Sequence, residues 1–260
     1  MSHEPTVVLV DADNTLWDTD AVFQAAQLLV LARVEEETVR TCAAVDRLEF
    51  VRAYDQALAQ KHHLHLRYPA QLLVRSVEAG LAGIAPEVAA RDAIAGRAMT
   101  SSLMELPAVE AIVSDYTQAL TRMPPLLGGV REGVRAGKAA GLRFFVMTEG
   151  RIEKQKRLLE KHGLLDSFEN VWEMTKERSQ FDRVASRFAG TRVVVIGDQP
   201  DRDIVPAKAA GCSTVLVPSR FKPSWQTAAG QGLADHLATD FLDAVKWCVE
   251  TDSEATVQVN

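Results

Sequence analysis

The sequence predicts an α/β fold, a doubly wound parallel sheet with an all-helical domain inserted after its first strand. Three observations predict it. Short apolar runs without alternation end in polar residues or glycine, as strands buried on both faces do. In the second half of the chain these runs alternate with helix-like stretches. Between the first and second runs, from about Ala21 to Leu120, the spacing is helical and no convincing strand occurs.

The first strand is Val7-Val8-Leu9-Val10, running into Asp11-Ala12-Asp13-Asn14-Thr15. The insertion that follows is rich in Ala, Leu, Glu and Arg. Its breaks at Arg67-Tyr68-Pro69, at Gly80 to Pro86 and at Pro107 predict four or five helices. Met123-Pro124-Pro125 and Gly128-Gly129 mark the return to the sheet. The second strand, Leu142 to Met147, runs into Thr148-Glu149-Gly150. Helices are expected over Ile152–His162 and Phe181–Phe188, and the third strand, Arg192 to Ile196, runs into Gly197-Asp198. A short helix over Asp203–Ala210, stopped by Gly211, leads to a fourth strand over Ser213–Val217. The sheet domain is therefore expected from 1–18 and 121–250, the helical domain from 19–120, and a polar, frayed tail from 251–260. Sheets of this kind bind ligands at the carboxyl ends of their strands, where the polar clusters fall.

Composition narrows the function. The 260 residues are 47% hydrophobic and 25% charged, which excludes a mainly disordered chain, a collagen-like repeat and a coiled coil. With 29 basic against 35 acidic residues, the chain lacks the basic footprint of a general nucleic-acid binder. Three scattered cysteines make neither a disulfide framework nor a zinc site. The apolar run at Val7 is too short for a signal peptide or a membrane span, so a soluble, cytoplasmic protein is expected.

Asp11 and Asp13 stand two apart just past a buried strand and can project to the same side. Held close, two carboxylates repel by roughly several kcal/mol. A strand-end turn capped by Asp is one reading of the pair. A divalent cation is the other, and hard carboxylate oxygens suit magnesium. Asp198 adds a third acid at another strand end, where Gly197 is expected to let the backbone turn sharply, with Asp201 and Asp203 close behind. A helix cap and a ligand remain open for the Gly-Asp turn alone. Thr148 by itself could cap the following helix. Three strand ends carrying Asp-x-Asp, Thr and Gly-Asp in one sheet point to a shared site.

In this order the motifs resemble those of the haloacid dehalogenase-like hydrolase superfamily, over Val7 to about Val245. The resemblance implies a Rossmann-like core, a helical cap of the first type and a magnesium-dependent phosphatase working through an aspartyl-phosphate. It makes Asp11 the nucleophile and Asp13, in Asp11-Ala12-Asp13-Asn14-Thr15-Leu16, the general acid/base. Thr148 would hold phosphoryl oxygens, and Lys176, ahead of the last motif, would offset charge. In Gly197-Asp198-Gln199-Pro200-Asp201-Arg202-Asp203-Ile204, Asp198 would bind magnesium with Asp11 and the backbone carbonyl of Asp13, while Asp203 would support the metal's waters or Lys176. The cap would close over the site and select a small phosphorylated metabolite.

The chain departs from the family pattern at Glu149, where Asn is common. An acid there would sit near the phosphate unless it turned away or bound a cation. Lys154, Lys156, Lys161 and Arg178 compete with Lys176, and Asp201 is read as a turn residue. His62, His63 and His65 match no familiar zinc spacing and suit a helix end. Arg47, Arg52 and Arg67 could reach a substrate anion or lie on exposed helix faces. Trp17 could line an entrance or join the core, and Leu28–Leu31 is read as cap core. Asp13 argues against dehalogenation, which has no leaving oxygen to protonate. A phosphomutase or phosphotransferase on the same scaffold, and a phosphate-binding protein without turnover, remain as alternatives.

Overall fold

The computed structural model describes residues 5–62, 68–97, 102–220, 222 and 232–257. The chain divides into two compact units, one with its body at Asp20–Met123, the other built from the segments up to Thr19 and from Pro124 onward.

The second of these is the sheet unit. Its centre is β1 (Val7–Asp11), a Val/Leu run buried along its whole length. β1 pairs in parallel with β2 (Arg143–Thr148) on one side and β4 (Val193–Gly197) on the other. β3 (Asn170–Glu173) extends the sheet beyond β2, and β5 (Ser213–Leu216) and β6 (His236–Leu237) extend it beyond β4. The order β3-β2-β1-β4-β5-β6 is parallel throughout. Chain order reverses direction at β1, so the carboxyl ends of β1, β2 and β4 form the switch-point crevice of a doubly wound sheet.

Alternation along these strands builds two apolar layers. Val8, Val10, Phe144, Val146, Val194 and Ile196 pack with residues of α6 (Val130–Ala139), α7 (Ile152–Lys161) and α10 (Phe241–Val257). Val7, Leu9, Phe145, Met147, Val193 and Val195 face the other way, with Phe181 of α8 (Arg178–Arg187) and Ala207 of α9 (Val205–Ala209). α6 sits close on its layer because a Cβ at Gly137 would come within 2.5 Å of the Phe144 ring.

The other unit holds α2 (Arg47–Lys61), α3 (Ala70–Leu81), α4 (Pro86–Ile94), α5 (Leu106–Ala119) and nearly all of α1 (Thr19–Thr38). It has its own core, with Val30, Leu31, Val51, Leu58, Leu73, Val77 and Ile112 fully or almost fully buried. Pro86 and Pro107 fall in first turns, where a missing N–H costs nothing. Among the described residues no helix is long and apolar enough to cross a membrane.

Three local features differ from the sequence expectation. β3 and β6 are short strands at the two edges, with exposed Asn170, Glu173 and Leu237 in place of an apolar run. The stretch from Pro200 to Ile204 is a π-helical turn, closed by the Val205 N–H on the Pro200 carbonyl, before α9 begins. And the chain is helical as far as Val257 instead of fraying from residue 251.

Candidate functional site

The loop after β1 separates its two carboxylates. Asn14 adopts a left-handed backbone (φ 60°), a conformation Asn tolerates better than most residues. Its N–H donates to the Trp17 carbonyl at 2.8 Å, and the Leu16 N–H to the Ala12 carbonyl at 2.9 Å. In this tight loop Asp11 is buried, with Oδ1 2.5 Å from Lys176 Nζ and Oδ2 accepting from the Thr15 hydroxyl at 3.3 Å. Asp13 keeps different company. Its Oδ1 accepts from the Thr19 hydroxyl at 2.6 Å and the Trp17 indole at 3.3 Å, and its Oδ2 from the Gln155 amide at 3.0 Å. Trp17 is therefore a core residue, fully buried.

Lys176 lies in the turn between β3 and α8, buried, with Nζ also 2.6 Å from Asp203 Oδ1. The other Asp203 oxygen accepts the Gln199 N–H at 3.0 Å. Asp203 reaches this place from the π-helical turn because Gly197 has no side chain; a Cβ there would lie 2.3 Å from Asp203 Cγ. Gly197 thus supplies room for Asp203 in addition to the expected turn off the strand, whose bend falls at Asp198.

Electrostatics follow from the burial. Loss of solvent raises the Asp11 carboxyl to about 7, against the pull of Lys176 and with help from Asp203 and Asp13. Burial, then the charges of Asp11 and Asp203, push Asp198 well above the carboxylate range. Burial works to deprotonate Lys176, but Asp11 and Asp203 together outweigh it and hold the ammonium above its ordinary range. One cation thus faces three buried acids. Oxygens of Asp11, Asp198 and Asp203 lie within 4.8 Å of one another, and among the described residues they are the one such acidic, His or Cys group. Asp198 Oδ1 is buried and has no hydrogen-bond partner. An orphaned carboxylate oxygen inside an all-oxygen set fits a hard divalent cation.

Thr148 ends β2, level with Glu173 on β3. It does not cap α7, whose N-cap position is Arg151. Its hydroxyl oxygen instead accepts from the Gly150 N–H at 2.9 Å and the Gln155 amide at 3.2 Å. Glu149 turns onto a cation: Arg202 Nη2 pairs with its Oε1 and Arg202 Nε donates to Oε2 at 3.2 Å, while the Lys176 backbone N–H donates to Oε1 at 3.3 Å.

The structure thus brings together Asp11, Asp198, Asp203 and Lys176, and links Asp13 with Thr148 through Gln155. The rival cations lie elsewhere: Lys154, Lys156 and Lys161 are exposed, and Arg178 is exposed beside Asp182. Asp201 is exposed on its turn. In the helical unit Arg47 pairs with Glu35 and Arg52 with Asp20, each at 2.6 Å. His62 ends α2; His63, His65 and Arg67 lie outside the described residues. Sequence reasoning passed over Gln155, Thr19 and Arg202. Gln155 did carry a signal: in a highly charged helix it shares the i, i+3, i+7 stripe of Ile152 and Leu159, an amide at an inward position.

Comparison with known proteins identifies the family. Residues 5–211 match the family described as haloacid dehalogenase-like hydrolase. A search of curated proteins finds no match. Among solved structures, a haloacid dehalogenase-like family hydrolase from Xanthomonas campestris superposes with a TM-score of 0.61 at 20% identity, covering 98% of this chain and 99% of its own. A HAD hydrolase from Bacillus subtilis, solved with bound magnesium, gives 0.57 at 16% identity over 96% of this chain and 100% of its own. A protein from Haemophilus somnus described as a predicted phosphoglycolate phosphatase gives 0.57 at 15% identity, over 95% of this chain and 100% of its own.

Proposed function

Since the chain belongs to the haloacid dehalogenase-like hydrolase family, an enzyme family, we propose that it is a magnesium-dependent phosphatase acting on a small phosphate monoester through a phosphorylated Asp11. One observation carries the reading: two carboxylates of a single loop are held by unlike partners, Asp11 by a buried lysine and Asp13 by neutral donors alone. Paired acids in contrasting surroundings suit a nucleophile and an acid/base.

Asp11, Asp198 and the backbone carbonyl of Asp13 would hold the magnesium, with Asp203 supporting Lys176. When bound, the cation supplies positive charge that offsets the phosphate dianion and keeps Asp11 ionised. An Asp11 oxygen attacks phosphorus in line, the phosphorus–ester oxygen bond breaks, and Asp13 gives its proton to the departing alcohol. Water then attacks the aspartyl-phosphate, Asp13 takes its proton, and the bond to Asp11 breaks to release phosphate. Lys176 Nζ donates one of its three hydrogens to Asp11 and is ion-paired with Asp203, so it can also donate to a phosphoryl oxygen. Thr148 accepts two hydrogen bonds, so its own hydrogen is free to donate to another. The expected partner is a small phosphorylated metabolite in the cytoplasm, with no role for nucleic acid or membrane.

A panel of small phosphate esters, with magnesium and then with chelator, tests the reading. Phosphate release that requires the metal is expected. Binding of phosphate esters without release from any of them would favour a non-catalytic protein, and transfer to a second alcohol in place of water would favour a mutase or phosphotransferase.

A further inference from the structure

We propose that Gln155 is a positioning residue that aims Asp13 at the leaving group and orients the Thr148 hydroxyl, so that one buried amide aligns the proton donor and the phosphate grip. The inference rests on the phosphatase reading above and adds a residue to it.

Gln155 is fully buried in the first half of α7. Its Nε2 carries two hydrogens and has two acceptors: Asp13 Oδ2 at 3.0 Å and Thr148 Oγ1 at 3.2 Å. Turning the amide over would set Oε1 against the Asp13 carboxylate, so the neighbours themselves require this orientation. The polarity then propagates. With the Gly150 N–H as the second donor, both Thr148 lone pairs are occupied, which leaves its hydroxyl hydrogen to donate to an incoming oxygen. Asp13 is meanwhile held from two sides, by Gln155 on Oδ2 and by Thr19 and Trp17 on Oδ1, which leaves its carboxyl group little freedom to rotate.

A packing role does not account for this residue. Gln155 Oε1 is buried with no hydrogen-bond partner, a costly arrangement that an apolar side chain would avoid. Gly150 fits the same design: a Cβ there would stand 3.2 Å from both Gln155 Nε2 and Thr148 Oγ1, crowding the junction.

The test uses a series of phenyl phosphates graded by leaving-group quality, with kcat/KM as the readout because it reports transfer to Asp11 and departure of the phenol. Good leaving groups depart without a proton and poor ones need Asp13. Loosening Thr148 alone would slow the whole series evenly. Gln155→Met, close in shape but without donors, is expected to retain the Tm and to widen the spread between best and worst leaving groups by about tenfold. Gln155→Glu, which sets an acceptor against Asp13, should widen it too. In an Asp13→Asn background, Gln155→Met should add no further widening. An even loss across the series, or widening that persists fully without Asp13, would overturn the assignment. If the wild type released no phosphate from any of these esters with magnesium, the phosphatase reading itself would fail, a separate and visible result.

Discussion

The Asp203 side chain occupies the space that a side chain on Gly197 would need, with Asp203 Cγ 2.3 Å from where a Cβ at 197 would stand. Because Asp203 in turn meets Lys176, and Lys176 meets Asp11, a missing side chain at the end of β4 sets the position of a charge at the end of β1.

Gly197→Ala should therefore act well beyond one methyl group. The contact involves Asp203 Cβ and Cγ, so the acid has to swing off Lys176. A loss of about 1–3 kcal/mol in stability is expected from overpacking, together with a fall in kcat. Urea denaturation and steady-state rates measure both; a variant with native stability and rate would contradict the account.

Lys176→Met removes the buried cation between Asp11 and Asp203 while roughly retaining side-chain length. Breaking a buried ion pair by deleting one partner costs about 3–5 kcal/mol. The expected outcome is that loss in urea denaturation without metal, with phosphatase activity down by at least about a hundredfold. A loss under 1 kcal/mol, on the order of an exposed pair, would show that the charges are not coupled.

Much of this was legible in the sequence because the central strands carry unmixed apolar runs ending in Asp, Thr or Gly-Asp. Strands buried on both faces leave that signature, and burial of both faces is what places their ends side by side. β3 was not legible because an edge strand of four residues needs no such run, and Asn170 and Glu173 remain in solvent. The turn off β4 at Gly197 was legible, but the room it leaves for Asp203 was not, since close approach by a residue six positions on depends on how the turn folds back. Gln155 and Arg202 act through partners more than fifty residues away, Asp13 and Glu149, so local spacing could mark Gln155 as inward-facing but could name neither partner.

The metal and the pH should be linked. Asp11 holds its proton more tightly in the fold, at about 7, than its ordinary 3.8, and Asp198 moves the same way. A raised folded value contributes stability that is full below about pH 4 and is lost as pH rises through about 7. Metal-free wild type should thus lose Tm from about pH 5 to about pH 8 relative to Asp11→Asn, in which that group does not titrate. Magnesium competes with those protons, so it should raise the wild-type Tm more at the higher pH. An equal shift at both would contradict the site assignment.

The Glu149–Arg202 pair is half-exposed, so its own stability contribution should be only about 0.2–1 kcal/mol. Its expected value is functional, keeping an acid next to Thr148 paired. Arg202→Ala should raise KM by about tenfold through an unpaired charge, and adding Glu149→Gln should restore most of it. A double variant as poor as Arg202→Ala would mean that Arg202 serves some other purpose.

The most direct test is phosphate release with magnesium by wild type and Asp11→Asn, on whichever ester of the panel is cleaved fastest. The wild type should release phosphate in a way that chelator abolishes, and Asp11→Asn should release none above background, because the amide cannot take up the phosphoryl group. Release that survives in Asp11→Asn would contradict Asp11 as the nucleophile.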